Sequence, residues 1–358
     1  MNPMSWAKRG LPGILHHYTE TLVTFEYTSQ AASQPHSVLF VGGLSDGLAT
    51  TSYTADIISA LQPTAWSFFT LVLTSSYQGW GLSDLDRDTE EIAQCLRYIQ
   101  NYKASRFGEG GKLVLMGHST GSQCILHYLH RPNPHPGPLR GFDSGLCHEN
   151  RCVLDGAIMQ APVSDREAIQ SVLEDGLGDH TAGECREAYD TLVKLATEAL
   201  ASPGSETQFA VLPIALTSRL GLGNQTPVGA RRFLSLASPN SPQQPGPDDL
   251  FSSDLSDEQL TATFGAVAGR GLLRYKLMVA PSGRDQSVPA WVDQERNLRR
   301  WRDALEHKGK YPIWDVEHSG VVPGASHALS DDDQEGPRQI LARRILAYLR
   351  DVEKRRGL

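Results

Sequence analysis

Short apolar runs alternate along the chain with longer stretches in which apolar residues recur every three or four positions. Such runs are typical of strands buried on both faces of a parallel sheet, and the periodic stretches are typical of amphipathic helices. The predicted buried strands are residues 37–43, 67–74, 112–119, 153–162 and 275–285, with a further strand-like run at 311–319. Residues 22–29 alternate between apolar and polar instead, which predicts an antiparallel strand. Together these elements predict an α/β fold built on a mostly parallel, doubly wound sheet.

The alternation of strands and helices stops between residues 163 and 270. This region has a mainly helical pattern, broken by a segment rich in proline at 238–249. We therefore expect one α/β core, formed by residues 1–162 and 271–358, that carries an inserted helical cap at 163–270. Two independent domains are the alternative that a chain of 358 residues permits.

Composition and charge exclude several classes of function. The chain has 33 basic and 41 acidic residues, and its arginines are mixed with carboxylates on helical patterns, so nucleic-acid binding is not expected. No run approaches the ~18 apolar residues that a membrane span needs, and residues 1–20 lack the apolar core of a secretory signal. Five cysteines, an odd number, suit a reducing compartment. We expect a cytoplasmic protein.

One short stretch resembles part of a metal site. Cys147 and Cys152 lie close together in the sequence with His148 between them, next to a loop rich in proline and glycine. A structural zinc site needs four ligands, and no second pair accompanies these cysteines. We predict no metal site and no cofactor.

The segment "LVLMGHSTGSQCILHYL", residues 113–129, passes from a predicted buried strand directly into a predicted helix. At the junction Gly117 and Gly121 flank Ser119 in the pattern Gly-x-Ser-x-Gly. In this context the pattern predicts a nucleophile elbow, a tight turn that lifts the serine hydroxyl above the carboxyl ends of the strands. The glycines would let neighbouring backbone pass close to the serine. An ordinary strand–helix turn with a chance match is the alternative.

A nucleophilic serine needs a histidine base and an acid that holds the histidine, and in this type of fold the acid and then the histidine follow the serine. His327, in a glycine-containing loop after the last predicted strand, is the expected base. Asp285, in the turn after residues 275–284, is the expected acid. Asp165, after the preceding strand, is the competing acid, and a turn or helix-cap role is the structural alternative for either aspartate.

Two backbone N–H groups are expected to stabilise the oxyanion that forms when the serine attacks a carbonyl. One belongs to Thr120, the first residue of the helix after the serine. The other is expected from Leu44, in the loop after the strand at 37–43, where Gly42 and Gly43 let the chain fold back toward the site. Gly43 is also expected to face the substrate. Glycines that merely end a strand are the structural alternative.

Several stretches resemble the fungal DUF1749 family within the α/β-hydrolase superfamily. They are residues 41–47 (VGGLSDG), 75–92 (SSYQGWGLSDLDRDTEEI), 117–123 (GHSTGSQ), 231–260 (RRFLSLASPNSP to DDLFSSDLSDEQL) and 282–289 (SGRDQSVP), which together span most of the chain. The resemblance implies an α/β-hydrolase fold with a Ser119–His327–Asp285 triad. It also implies an intracellular esterase that cuts the ester bonds of fusarinine-type hydroxamate siderophores. Gly42 stands where many esterases have histidine, which leaves the second oxyanion donor open.

Four further side chains are expected to line the substrate pocket. Tyr77 and Trp80 follow the strand at 67–74, and Arg231 and Arg232 lie in the predicted cap, where they would supply donors to a carbonyl-rich ester. Core packing is the alternative for the aromatic residues, and surface ion pairing for the arginines. The sequence predicts a cofactor-free serine esterase acting on a small-molecule ester, with no prediction of oligomeric state. A general carboxylesterase, a lipase, a serine peptidase and a non-catalytic ligand-binding protein are the alternatives.

Overall fold

The structure, a computed structural model, describes residues 12–28, 30–108, 111–135, 147–201 and 210–355. Part of the N-terminal segment in which no secretory signal is predicted, residues 1–11, lies outside this range. Within it, seven strands form one sheet: β1 Gly13–His17, β2 Val23–Tyr27, β3 His36–Val41, β4 Trp66–Leu71, β5 Leu113–His118, β6 Gly156–Gln160 and β7 Leu277–Ala280. Their order across the sheet is β1-β2-β4-β3-β5-β6-β7. The strands β3 to β7 pair in parallel, while β1 and β2 form an antiparallel edge. The predicted α/β fold and the antiparallel strand at residues 22–29 are confirmed.

The structure departs from the predicted strands at the two ends of the chain. The edge strand β1 was not predicted, because its mostly exposed residues carry no continuous apolar run. The strand-like run at 311–319 makes only a bridge, in which Trp314 pairs with Leu277. Pro312 has no N–H to give to a ladder, and the backbone turns where the N–H of His318 donates to Asp315 Oδ1 at 2.6 Å. This run therefore lies beside β7 at the edge of the sheet but does not form an eighth strand.

Ten α-helices are found in the described residues: α1 Thr54–Leu61, α2 Leu85–Phe107, α3 Thr120–His130, α4 Asp165–Asp175, α5 Ala182–Ala201, α6 Ile214–Thr217, α7 Ala230–Ala237, α8 Asp257–Arg270, α9 Gln294–Leu305 and α10 Glu335–Lys354. One face of the sheet buries its side chains against α2, α3, α8 and α9, and the other against α1 and α10. This two-faced burial explains why β3 to β7 read as continuous apolar runs in the sequence. No helix in the described part of the chain is both long enough and apolar enough to cross a membrane.

The helices between β6 and β7 divide into two groups by their packing. Side chains of α4, α5 and α7 form an apolar cluster of their own, which includes Leu192 and Phe233 and is joined by Trp80 from outside the region. We refer to this cluster as the cap cluster. Phe264 and Val267 of α8 instead pack into the core with α3 and α9. The predicted cap boundary at residue 270 thus comes after a helix that packs as part of the core.

Candidate active site

The turn between β5 and α3 holds Ser119 in a strained backbone conformation. Its φ of 54° and ψ of −124° lie outside the helical and extended regions, and φ is positive, which a residue with a side chain rarely adopts. The flanking glycines are required because neighbouring backbone leaves no room for a Cβ atom. A Cβ on Gly117 would lie 2.2 Å from the carbonyl oxygen of Gly121, and one on Gly121 would lie 2.3 Å from that of Val41. No other residue type fits at either position, so the Gly-x-Ser-x-Gly pattern reflects backbone crowding.

Three predicted residues from distant parts of the chain meet at this turn. His327 Nε2 lies 2.8 Å from Ser119 Oγ, and His327 Nδ1 lies 2.8 Å from Asp285 Oδ2. The second oxygen, Oδ1, accepts the Ser287 N–H at 2.9 Å, and the Asp285 side chain is only 1% exposed. The backbone N–H of His327 donates to Gln286 Oε1 at 3.0 Å. The arrangement can therefore pass a proton from the serine hydroxyl to an imidazole that a carboxylate holds in one orientation.

The competing acid, Asp165, lies elsewhere. Its Oδ2 accepts a hydrogen bond from Gln123 Nε2 at 2.7 Å, at the start of α4. Burial raises the pKa of Asp165 to about 6, although the hydrogen bond from Gln123 acts in the opposite direction. The contact with the histidine belongs to Asp285.

A layer of buried polar side chains below the serine was missed in the sequence. His118 donates from Nδ1 to Gln160 Oε1, which also accepts the Tyr53 hydroxyl at 3.0 Å, and Gln160 Nε2 donates to Ser282 Oγ at 3.2 Å. The ring of His118 lies 5.1 Å from that of His327. Burial and then the charge of His327 lower the pKa of His118 to about 4, so His118 stays neutral beside His327. No periodicity marks this layer, because its members come from four separate elements.

The two expected oxyanion donors lie on the same small cavity. Leu44, Thr120 and Gly43 line it beside Ser119, and its volume of about 30 Å³ is the size that a single water occupies. Within the described residues, neither the Leu44 N–H nor the Thr120 N–H donates to a protein acceptor. A Cβ on Gly43 would lie 2.8 Å from Ser119 Cβ and 3.3 Å from its Oγ, so this glycine directly borders the Ser119 side chain. Two residues whose backbone N–H groups have no acceptor in the described part of the chain thus line a cavity next to Ser119.

The two aromatic residues differ in their surroundings. Trp80 is 3% exposed, packs in the cap cluster, and donates its indole N–H to Ser45 Oγ at 3.1 Å while lining the small cavity. Tyr77 is 44% exposed, and its hydroxyl accepts the Leu48 N–H at 3.0 Å. Tyr77 thus presents its ring to solvent and does not line the small cavity, whereas Trp80 lines the cavity and packs in the cap cluster.

The two arginines of α7 also differ. Arg232 is buried, pairs with Asp248 and lines the small cavity together with Asp88. Burial opposes its charge, but the surrounding carboxylates, of which Asp248 acts most strongly, raise the pKa of Arg232. Burial also raises the pKa of Asp88 to about 7, against the effect of Arg232. Arg231 is half-buried and does not line this cavity. Surface ion pairing, the alternative considered for both arginines, does not describe Arg232.

The sequence matches, over residues 4–350, the family described as "Protein of unknown function (DUF1749)". The chain belongs to the DUF1749 family. The chain is similar to the fusarinine C esterase sidJ of Aspergillus fumigatus. The two are 62% identical over 352 residues, which is 98% of each chain. The resemblance expected from the sequence motifs is confirmed.

Solved structures place this DUF1749 protein in a known fold. The siderophore hydrolase EstB from Aspergillus fumigatus superimposes with a TM-score of 0.87 at 60% identity, covering 98% of this chain and 100% of that one. A more distant structure, an α/β hydrolase fold protein, superimposes with a TM-score of 0.54 at 15% identity over 96% of each chain. At that identity the likeness shows the fold alone. The chain has the α/β-hydrolase fold.

Proposed function

We propose that this DUF1749 protein is a serine ester hydrolase whose nucleophile is Ser119, whose base is His327 and whose acid is Asp285. The observation that carries the proposal is the unbroken hydrogen-bonded chain from Ser119 Oγ through both ring nitrogens of His327 to Asp285 Oδ2. The strained elbow supports the same assignment, as do the Leu44 and Thr120 N–H groups, which have no acceptor among the residues that the structure describes. A receptor that merely binds a ligand has no need for this combination.

In the proposed reaction, Ser119 Oγ attacks the ester carbonyl while His327 Nε2 accepts the hydroxyl proton. Asp285 holds Nδ1–H and stabilises the imidazolium. The negative oxygen of the tetrahedral intermediate accepts hydrogen bonds from the Leu44 and Thr120 N–H groups. Collapse of the intermediate breaks the ester bond, and His327 returns its proton to the departing alcohol. Water then repeats the sequence on the acyl-enzyme, releasing the acid and regenerating the serine.

For the substrate, we propose the ester bonds of fusarinine-type siderophores, which hold hydroxamate units together around iron. Support comes from the two relatives at 60% identity or more, one named a fusarinine C esterase and the other a siderophore hydrolase. Hydrolysis of these esters would break a multidentate iron ligand into units that bind iron more weakly. Iron is the cargo of this substrate and takes no part in the hydrolysis.

We propose that the region between residues 163 and 270, apart from α8, acts as a cap over the site. Leu44, an expected oxyanion donor, and Trp80 both pack against the cap cluster. The cap therefore contacts the loops that border the serine, and its shape would set how large an ester can enter. We place the reaction in the cytoplasm, because an odd number of cysteines, five, suits a reducing compartment and an imported siderophore must be opened where its iron is used.

The test is to incubate the protein with an iron-free fusarinine-type ester, an amide-linked ferrichrome-type hydroxamate and 4-nitrophenyl acetate, and to follow the products by mass spectrometry and absorbance. We expect cleavage of the fusarinine-type ester and of the simple ester, with the amide-linked compound intact. Ser119→Ala should lose turnover and covalent labelling by a fluorophosphonate while keeping its circular dichroism spectrum.

The three substrates separate the parts of the proposal. Survival of the fusarinine-type ester while 4-nitrophenyl acetate is cleaved would reject the substrate and leave a general esterase. Cleavage of the amide would point to a peptidase. If Ser119→Ala retained more than about a tenth of the wild-type rate, Ser119 would not be the nucleophile.

A further inference from the structure

The loop after β3 contains an aspartate to which the proposed chemistry gives no role. Asp46 lies three residues after Gly43, and its carboxylate points back into its own loop. Oδ2 accepts the Gly43 N–H at 2.9 Å, and Oδ1 accepts the Thr50 hydroxyl at 2.7 Å. The Thr50 hydroxyl oxygen also accepts the Gly47 N–H at 2.9 Å. One carboxylate therefore fixes both arms of the loop that carries Leu44.

The backbone of the same loop is closed by a second set of contacts. The Asp46 N–H donates to the Gly43 carbonyl at 3.1 Å, and the Asp46 carbonyl accepts the Tyr77 N–H at 2.9 Å. A Cβ on Gly42 would lie 2.4 Å from Asp46 Cβ, so the side chain packs directly on the start of the loop. These contacts join residues within the loop and also hold the loop against the backbone of Tyr77.

Three residues in or next to this hydrogen-bonded loop have positive φ angles. Ser45 has φ of 66°, Ala49 of 60° and Tyr77 of 57°, all conformations that residues with side chains adopt only when their surroundings impose them. In this loop, the hydrogen bonds around Asp46 hold the backbone in these conformations. Without them, the loop would be free to relax toward ordinary backbone angles and carry Leu44 away from Ser119.

The bonds of Asp46 also decide which N–H group remains for chemistry. The Gly43 N–H is engaged by the carboxylate, whereas the Leu44 N–H, one residue later, has no acceptor among the described residues and borders the cavity beside Ser119. A donor already directed at the place where negative charge develops stabilises a transition state more than one that must reorient. The carboxylate thus selects the donor and holds it in place.

We propose that Asp46 is a positioning residue that preorganises the oxyanion loop, so that the Leu44 N–H points at the tetrahedral intermediate. The inference rests on the proposed function, since it assumes attack by Ser119 on an ester. Asp46 acts through the Gly43 N–H and the Thr50 hydroxyl, and it does not touch the reacting atoms. Its effect should therefore appear in the transition state and not in substrate binding.

The experiment measures kcat and KM for 4-nitrophenyl acetate, and the affinity for phenylboronic acid, in Asp46→Ala, Asp46→Asn and the surface control Asp190→Ala. Direct loss of one oxyanion donor lowers kcat by about 10²–10³-fold, so a donor that is only loosened should lower it by about 10–100-fold. We expect that loss in Asp46→Ala, with KM within about threefold of wild type. Phenylboronic acid, which forms a tetrahedral adduct with the serine, should bind Asp46→Ala more weakly by a similar factor.

Asp46→Asn is the rescue variant, because an amide oxygen still accepts the Gly43 N–H and the amide group still reaches Thr50. It should keep most of the wild-type kcat. Should Asp46→Ala fail to fold, Thr50→Val removes one of the two bonds and should give a smaller loss of kcat with KM unchanged. A rise in KM with unchanged kcat, or equal losses in the alanine and asparagine variants, would overturn the proposal.

Failure of the proposed function gives a different result. In that case wild type itself would neither cleave the ester nor show phosphonate labelling that depends on Ser119. A wild-type enzyme that is active and labelled, together with an Asp46→Ala variant of equal kcat, would reject only the role of Asp46.

Discussion

Asp285→Asn tests the acid through a detail of its hydrogen bonding. Asp285 accepts two bonds, from His327 Nδ1–H at 2.8 Å and from the Ser287 backbone N–H at 2.9 Å. An asparagine has one oxygen and one NH₂ group for these two positions. The backbone N–H can only donate, so the amide oxygen should turn to Ser287 and the NH₂ group to His327. The imidazole can meet that donor only by moving its own proton to Nε2.

This change of tautomer removes the base. With its proton on Nε2, His327 donates toward Ser119 Oγ and can no longer accept the serine proton. In serine proteases the corresponding change lowers kcat by about 10⁴-fold with the geometry intact, which is about 5.4 kcal/mol of transition-state stabilisation at 1.36 kcal/mol per tenfold. We expect a loss of this order in kcat for 4-nitrophenyl acetate. The free energy of unfolding in urea should change little, since both hydrogen bonds are kept.

Asp165→Asn is the matched comparison, because Asp165 is the competing acid but bonds to Gln123 and not to His327. Its kcat should stay within about tenfold of wild type, since no group on the reaction path changes its protonation. Stopped-flow or steady-state assays on both variants, with circular dichroism to check folding, decide between the aspartates. The reverse ranking, with Asp165→Asn the more damaged, would refute the assignment of the acid and the argument from tautomers.

Two predictions concern stability. Gly121→Ala should lower the free energy of unfolding by about 1–3 kcal/mol and lower kcat, because the new methyl would lie 2.3 Å from the Val41 carbonyl oxygen. Gly269→Ala on α8 places its methyl where no atom beyond the adjoining helix backbone lies within 4 Å. It should leave the free energy of unfolding unchanged or raise it by up to about 1 kcal/mol. Equal urea midpoints for the two alanine variants would contradict the crowding at the elbow. Burial raises the folded-state pKa of Asp88 to about 7, above its value of about 4 in the unfolded chain. The folded state therefore binds the proton more tightly, which stabilises the fold at low pH. This stabilisation is lost as the pH rises from about 4 to about 7. Relative to wild type, Asp88→Asn should therefore gain stability with rising pH, by at most about 1.4 kcal/mol per pH unit, and a constant difference across the window would show that Asp88 is ionised throughout.

The predicted site residues differ in how much knowledge of the fold their prediction required. The elbow around Ser119 was found from five consecutive residues, although only the crowding at Gly117 arises within the turn and that at Gly121 comes from Val41 on β3. His327 and Asp285 were selected by their order after particular strands, which works because parallel strands end at one edge of the sheet. The resemblance to the DUF1749 family then agreed with both. The signal was local for Ser119 and came from the order of predicted strands for His327 and Asp285.

Asp46 and Arg232 show where sequence reasoning stopped. Asp46 stands before a glycine, so it reads as an ordinary turn residue, and only the folded loop shows its bonds to Gly43 and Thr50. Arg232 was expected to line the substrate pocket, with surface ion pairing as the alternative, and only the structure shows that it is buried, paired with Asp248, and on the same small cavity as Asp88. The burial of a charged side chain depends on partners far away in the chain, and periodicity does not report those partners.

Local patterns in the sequence predict strands β2 to β7, the elbow and the type of chemistry, because apolar periodicity and backbone strain act over a few residues. Tertiary structure alone decided how those parts meet. Ser119 and His327 are 208 positions apart, and only the sheet order brings Nε2 to within 2.8 Å of Oγ. It also decided that α8 packs into the core and not into the cap cluster. Contacts between distant segments depend on the geometry of the whole sheet, and no local pattern encodes that geometry.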